Sequence, residues 1–377
     1  MRISKLKISQ YKNLNKVDID LHPSINAFTG LNGMGKTNIL DAIHYLCLAK
    51  SNFGRLERNN VMLGKDFFRL EGAFVNMGKK HDIVIKVKPP RLKVVEKNKK
   101  ALKKIADYIG EFPVVIIAPR DKNALLESSK ERRKFMDRAL SQTDKTYLNS
   151  LLEYNKILKQ RNALLKNNDF GNIDTLLLDT YDKRLAPLVD LIYGKRKAFV
   201  KDILPDFLGI YAEIASESEV PNLSYITRFD DNNYQRLVKD SFQKDIILKR
   251  STVGIHKDDL GFELNGKSLK YFASQGQLKS YALATKLAEY SFLKKVKGFE
   301  PIVILDDVFD KLDKTRVKKL VSLLFKENFG QVFISDTDRK RVEGIFQAAN
   351  VEYKIFEVKE GNINNSSKIN FTEKGTN

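Results

Sequence analysis

Apolar positions in this chain follow two periods, and the change from one to the other divides it. Near the start, Leu6 and Ile8, then Val17, Ile19 and Leu21, recur at every second position. They predict strands leading into an apolar run at 25–29 that suits a short buried strand. Residues 68–75 and 82–87 predict a paired hairpin across a turn at 76–81. Residues 114–118 are continuously apolar and are stopped by Pro119, as in a buried strand. From about 121 to 205 breakers are few, and Leu151, Leu158 and Leu165 recur at a spacing of seven. This stretch predicts helices interrupted by a turn at 167–172 and by Pro187. An extended coiled coil needs roughly three to four unbroken heptads, which are missing here, so the expectation is a helical lobe inserted into an α/β domain. Strand-like sequence resumes near Leu223, and 250–269 suits a hairpin region around Asn265-Gly266. Residues 278–293 suit a helix with Leu283, Leu287 and Tyr290 along one face. The tail beyond about 360, rich in Asn, Ser and Gly, is expected to fray.

Between the strand at 25–29 and a helix predicted at 38–46 lies Gly30-Leu31-Asn32-Gly33-Met34-Gly35-Lys36-Thr37, with Gly30, Gly35, Lys36 and Thr37 at the spacing of a phosphate-binding P-loop. Glycines let backbone N–H groups curl around a phosphate, and the start of the helix, at Asn38, adds its partial positive charge. ATP is the expected ligand, with Lys36 on the β/γ-phosphates and Thr37 on Mg²⁺. A partner for this loop is found far downstream. Residues 301–305 form an apolar strand pattern ending in Asp306 and Asp307, the form of a Walker B strand. Asp306 is expected in the magnesium shell and Asp307 as the base that polarises the attacking water. Ser274, Gln275, Gly276 and Gln277 precede the helix at 278–293, where a helix start can offer donors to a γ-phosphate. Together with Asp306-Asp307 and Asp310–Asp313 they have the order and spacing of an ABC-type ATPase. Thr337, after the strand pattern at 331–334, stands where related ATPases place a γ-phosphate sensor; a helix cap is the competing reading.

Charge narrows the choice of partner. The 377 residues carry a formal net charge of +20, which favours a polyanion such as nucleic acid or an anionic membrane surface, and exceed the size of most single cores. No apolar run approaches a membrane span and the N-terminus has no signal-peptide core, so a cytoplasmic location is expected. Cys47, the one cysteine, excludes an intrachain disulfide and reads as a small buried hydrophobe. The densest basic stretch is 79–104, where Lys86, Lys88, Lys97, Lys99 and Lys100 are candidate phosphate contacts together with Arg132 and Arg133. Nothing suggests reading of base sequence, which implies structure-selective binding. His256 with Asp258 and Asp259 lacks a second nearby histidine or cysteine, which favours a structural or interface role over a metal site.

These motifs, with Ala118–Asp121, Arg132–Asp137, Leu158–Lys166, Gly254–Asp259 and Ser274–Glu289, resemble the RecF family of bacterial recombination mediators over nearly the full chain. The resemblance implies an α/β fold: an ABC/SMC-type P-loop ATPase head with an inserted, mainly helical arm lobe. The head would comprise 1–120 and 251–377, and the arm 121–250. It further implies an ATP-dependent homodimer, in which the 274–277 element serves the nucleotide of the second subunit. Such a dimer would be a weak, DNA-stimulated ATPase, bind junctions of single- and double-stranded DNA, and load RecA with RecR and RecO. Other SMC-like ATPases acting with a nuclease or defence partner form the alternative class. Two departures stand out: Asp310 replaces the serine usual in the family, and Ile255 the usual proline. Arg120 and Arg161, in family motifs, are expected either to contact DNA or to anchor the lobe through carboxylates.

Overall fold

Ile3, Leu6, Ile8 and Tyr11 form the buried face of strand β1 (Arg2–Tyr11), although Ile3 is out of phase with the alternation that follows. A register shift between Ile3 and Lys5 resets the pleat and returns both segments to one face. The computed structural model describes residues 1–54, 56–118, 128–167, 173–215, 218–230, 233–309, 314–326 and 329–369. Its contacts divide the chain into two units, Met1–Lys122 with Ala282–Asn377, and Asn123–Tyr281. The return to the first unit thus falls at Ala282, later than the 251 expected from the sequence.

The first unit contains two six-stranded sheets. One is antiparallel, in the order β2 (Leu14–Asp20), β1, β4 (Phe68–Asn76), β5 (Lys79–Lys88), β6 (Leu92–Lys97) and β7 (Lys100–Ala101). The other runs β15 (Asn362–Ile369), β14 (Tyr353–Lys359), β3 (Ile25–Thr29), β13 (Val332–Asp336), β12 (Ile302–Asp306) and β8 (Val114–Ile117). All of its strands are parallel except β15. Strands β3, β8, β12 and β13 are buried at every position, as a parallel sheet covered on both faces requires. Helix α1 (Lys36–Leu48) packs Ile39, Leu40, Ile43 and Leu46 into the core shared with Leu6, Phe68, Ile304 and Phe333. Buried Gln331 ties the sheets together: its amide accepts from Ile3 N (2.7 Å) and donates to Ile3 O (2.8 Å) and His22 O (2.7 Å). Cys47 is buried, and burial pushes its thiol pKa up. Of the tail expected to fray from about 360, residues 362–369 instead form β15, because their backbone completes the edge of the second sheet, and 370–377 lie outside the described residues.

The second unit combines helices α2 (Ser129–Thr143), α3 (Lys145–Lys166), α4 (Thr175–Ile214) and α5 (Tyr234–Ile247) with a three-stranded sheet of β9 (Pro221–Ile226), β10 (Asp259–Leu264) and β11 (Lys267–Ser268). The short helix α6 (Leu269–Phe272) leads to α7 (Gln275–Lys297). Pro187 does not end a helix, contrary to expectation: α4 continues through it and through Pro205 for 40 residues. Its buried stripe, which includes Leu185, Val189, Ile192, Phe199, Ile203, Phe207 and Tyr211, outweighs the backbone hydrogen bonds lost at proline. The stripe of α3 runs through Tyr147, Tyr154, Ile157, Arg161 and Leu165, so only one of the heptad leucines is fully buried.

Two buried arginines organise this unit. Arg161 bonds Asp182 (2.6 and 3.2 Å), Asp245 (2.7 Å) and Ser251 Oγ (2.7 Å), joining α3, α4 and α5. Arg196 bonds Asp137 (2.8 Å), Asp258 (3.0 Å), the Ile255 carbonyl (2.7 Å) and Tyr147 OH (3.1 Å). The Gly254–Asp259 segment therefore acts as a keystone. Tyr154 OH lies 2.6 Å from His256 Nδ1, and His256 Nε2 lies 3.2 Å from the Ser251 carbonyl, which suits a neutral ring protonated on Nε2. These contacts to Tyr154 and Ser251 accord with the structural role expected for His256.

Burial, aided by the charges of Lys257 and Arg133, lowers the His256 pKa from the usual 6.5 to about 4. The unfolded chain then takes up a proton before the folded one does. The contribution of His256 to stability is complete above pH 6.5 and declines as pH falls toward 4. Thermal midpoints of the wild type and His256→Gln, measured across this range, should converge on acidification; a constant gap would contradict the neutral buried ring.

Candidate functional site

In the second sheet β13 lies between β3 and β12, and all three run parallel, so their C-terminal ends meet at one edge. Register sets Ser335 opposite Asp306 and Asp336 opposite Thr29, immediately before the glycine-rich loop. Gly33 and Gly35 in that loop have φ of 80° and 114°, which a residue with a Cβ adopts only under strain. Gly35 leads directly into α1. Lys36 is 4% exposed, and its Nζ donates to the carbonyls of Gly30 (2.7 Å) and Leu31 (2.9 Å). Leu31, Asn32 and Gly33 are exposed, while Met34 and Asn38 are half-buried.

Two strand ends, those of β12 and β13, and the helix start build one hydroxyl–carboxylate cluster. Thr37 Oγ1 donates to Asp306 Oδ1 at 2.8 Å, and Ser335 Oγ donates to the same oxygen at 2.7 Å. The Asp307 amide donates to Ser335 Oγ at 2.9 Å, and Asp307 takes a left-handed φ of 47°, which turns the chain directly after Asp306. Burial raises the Asp306 pKa and the neighbouring Asp307 charge adds to the rise; the two hydroxyls and Lys36 oppose it. Thr37 and Asp306 offer a hard, oxygen-only donor set, the chemistry that suits Mg²⁺.

Ser335 is the residue missed in the sequence. Only its register opposite Asp306 reveals it, whereas Thr337 drew notice as the residue beyond the strand. Thr337 is half-buried two residues further on, after Asp336, which accepts from Arg341 Nη2 (2.6 Å) and Nε (3.2 Å). Asp41 was also unassigned. It is fully buried and accepts from Tyr11 OH (2.6 Å), Lys12 Nζ (2.5 Å), Ser51 Oγ (2.6 Å) and Asn52 N (2.8 Å). Burial opposes its charge, but Lys12 and the hydroxyls outweigh it and hold the carboxyl below its usual range.

Ser274 and Gln277 form a reciprocal capping box in the second unit: Gln277 N donates to Ser274 Oγ (3.2 Å), and Ser274 N to Gln277 Oε1 (2.8 Å). Ser274 and Gln275 are exposed, and Gly276 and Gln277 are half-buried. The basic candidates separate into two groups. Lys86 pairs with Glu96 (2.6 Å) and Lys97 with Glu111 (2.7 Å), whereas Lys88, Lys99 and Lys100 are exposed. Arg132 forms a two-pronged pair with Asp259 (2.6 and 2.7 Å), and Arg133 donates to the Asp258 carbonyl (2.6 Å), so both serve the keystone segment. Arg161 is an anchor through carboxylates. Arg120 and Asp310–Asp313 lie outside the described residues. No described helix is long and apolar enough to cross a membrane.

A sequence model of the RecF/RecN/SMC N-terminal domain matches residues 2–364. The DNA replication and repair protein RecF of Flavobacterium johnsoniae is 42% identical over 360 residues, covering 94% of this chain and 99% of that protein. Its counterpart in Bacteroides thetaiotaomicron is 39% identical, covering 97% and 98%. A solved structure of the recombination mediator protein RecF with ATPrS, from the RecFOR pathway, aligns with a TM-score of 0.86 at 28% identity over 98% of both chains. A Smc head domain from Pyrococcus furiosus, at 17% identity and a TM-score of 0.58 over 97% of this chain and 96% of its own, shares the fold. Fold and site together define an ABC/SMC-type P-loop ATPase head with a helical insert. The chain belongs to the RecF/RecN/SMC family and, within it, to the RecF proteins of DNA replication and repair.

Asp41→Ala should destabilise the first unit by roughly 3–5 kcal/mol, because it leaves the Lys12 ammonium and three other donors without their acceptor. Urea denaturation measures this loss; a change under about 1 kcal/mol would mean that water replaces the carboxylate.

Proposed function

We propose that this chain is an ATP-driven recombination mediator of the bacterial cytoplasm. ATP pairs two copies, the pair binds DNA where single and double strands meet, and with RecR and RecO it assists RecA loading onto gaps. The cluster of Thr37, Asp306, Ser335 and the Asp307 amide beside the P-loop carries the reading. The RecF relatives solved with ATPrS and with ATP support it.

Backbone N–H groups of 30–38 receive the phosphates, and Lys36 leaves the Gly30 and Leu31 carbonyls to meet the β- and γ-phosphates. Thr37 and Asp306 would hold Mg²⁺, which neutralises phosphate charge. Asp307 takes the proton of the attacking water. Ser335, rather than Thr337, is the better γ-phosphate sensor, because its hydroxyl already couples Asp306 to the Asp307 backbone. The exposed capping box at Ser274–Gln277 supplies donors to the nucleotide of the second copy, and slow, DNA-stimulated hydrolysis separates the pair. Lys88, Lys99 and Lys100 are the favoured phosphate contacts for DNA.

Light scattering with ATP and Mg²⁺, with and without gapped duplex DNA, tests this reading. Asp307→Asn should bind ATP, double in mass and lose turnover by about 10²–10⁴-fold. Lys36→Ala should lose roughly 2–3 kcal/mol of ATP binding. Ser274→Arg should bind ATP as a monomer and fail to double. A wild-type mass that stays monomeric with nucleotide and DNA would refute the paired switch.

A further inference from the structure

We infer that the Glu360-Gly361 turn, at the tip of the β14–β15 hairpin, braces the P-loop in its phosphate-accepting shape and makes Gly361 and Asn13 positioning residues of the nucleotide site. The consequence for ATP rests on the reading above; the geometry does not.

A loop that receives an anion presents N–H groups to it and needs other donors for its carbonyls. The Gly35 carbonyl is taken up by the first turn of α1, and four others are served by side chains or by a turn outside the loop. Lys36 Nζ serves Gly30 and Leu31, and that side chain is required elsewhere once phosphate is present. The other two donors come from outside the loop: Asn13 Nδ2 reaches the Gly33 carbonyl (3.4 Å) and Gly361 N reaches the Met34 carbonyl (2.8 Å). Glu360 N also lies 3.3 Å from Met34 Sδ, so the turn grips both the backbone and the side chain of Met34. Asn38 Nδ2 donates to Asn13 Oδ1 (2.7 Å), which links the same brace to the first turn of α1.

The packing leaves no room for side chains. A Cβ on Gly361 would lie 2.2 Å from the Asn13 carbonyl oxygen, and one on Gly30 would lie 2.3 Å from that of Val358. Strand β14 pairs with β3, with Glu357 opposite Thr29, so the hairpin continues past the end of the P-loop strand and its turn arrives at the loop. Glu360 and Gly361, at φ of 49° and 77°, turn sharply enough to place two N–H groups there. The P-loop is thus held between the β1–β2 turn and the last hairpin of the sheet.

The β4–β5 turn supplies an internal control. Met77 and Gly78 have φ of 46° and 74°, and a Cβ on Gly78 would meet nothing within 4 Å. Gly78→Ala therefore reports the cost of a strained alanine in the same kind of turn, away from the P-loop. Gly361→Ala, Gly78→Ala and Asn13→Ala should be compared by thermal midpoint, by hydrogen exchange of 30–38 without nucleotide, and by titration with a fluorescent ATP analogue. Exchange should accelerate in Gly361→Ala and Asn13→Ala only, and their affinity for the analogue should fall about tenfold, the worth of one lost hydrogen bond. Asn13→Ala adds no atom, so it remains informative if Gly361→Ala fails to fold. Unchanged exchange and affinity in Asn13→Ala, or equal losses in Gly78→Ala, would overturn the brace. Exchange that responds in a protein that binds no ATP would uphold the brace and remove the nucleotide reading instead.

Discussion

The site turns on one buried carboxylate, Asp306, at the end of an apolar strand. Burial and the adjacent Asp307 both push its proton affinity up, and two hydroxyl hydrogen bonds and one lysine charge oppose them. Those groups come from separate parts of the chain: the Thr37 hydroxyl from the first turn of α1, the Lys36 charge from the end of the P-loop, and the Ser335 hydroxyl from β13. They converge because β3, β13 and β12 are parallel neighbours whose ends share an edge. Sheet order is therefore part of the chemistry. An antiparallel strand in the place of β13 would carry Ser335 to the opposite edge.

Buried charge plays a different part in the second unit. Arg161 and Arg196 are each 1% exposed and surrounded by carboxylates, hydroxyls and carbonyls at hydrogen-bonding distance. Such networks contribute little net stability over an apolar core, yet losing one member leaves the others buried and unpaired. That asymmetry gives the Gly254–Asp259 segment its structural weight. Asp258 and Asp259 accept from arginines and tyrosine, and His256 is held neutral between Tyr154 and Ser251.

Excess positive charge suggests a polyanionic partner but is a poor guide to which basic side chains would meet it. Lys86 and Lys97 stand in the basic stretch beside exposed Lys88, Lys99 and Lys100, yet cross-strand and loop carboxylates engage the first two. Arg132 and Arg133 belong to the same story: a guanidinium suits a phosphate, but the Asp259 carboxylate and the Asp258 carbonyl, neighbours only in three dimensions, engage these two.

The ATPase head was legible because its motifs are local. A P-loop is one turn between one strand and one helix, so spacing alone specifies Gly30, Gly35, Lys36 and Thr37, and an apolar strand ending in Asp306-Asp307 is equally self-contained. The helical insert was legible from periodicity, although Pro187 misled because its penalty is local and the burial that outweighs it is not. Ser335, Asp41, Asn13 and Gly361 carried no such signal. Each acts through a partner distant in sequence: Ser335 through Asp306, Asp41 through Lys12, Asn13 and Gly361 through the P-loop backbone. The tail read as frayed for the same reason, since its polar side chains said nothing of the backbone hydrogen bonds that β14 would offer. Residue type and spacing marked the groups proposed to do the chemistry; strand order and register decided which others hold them in place, because hydrogen bonds act over about 3 Å and only folding brings distant residues that close.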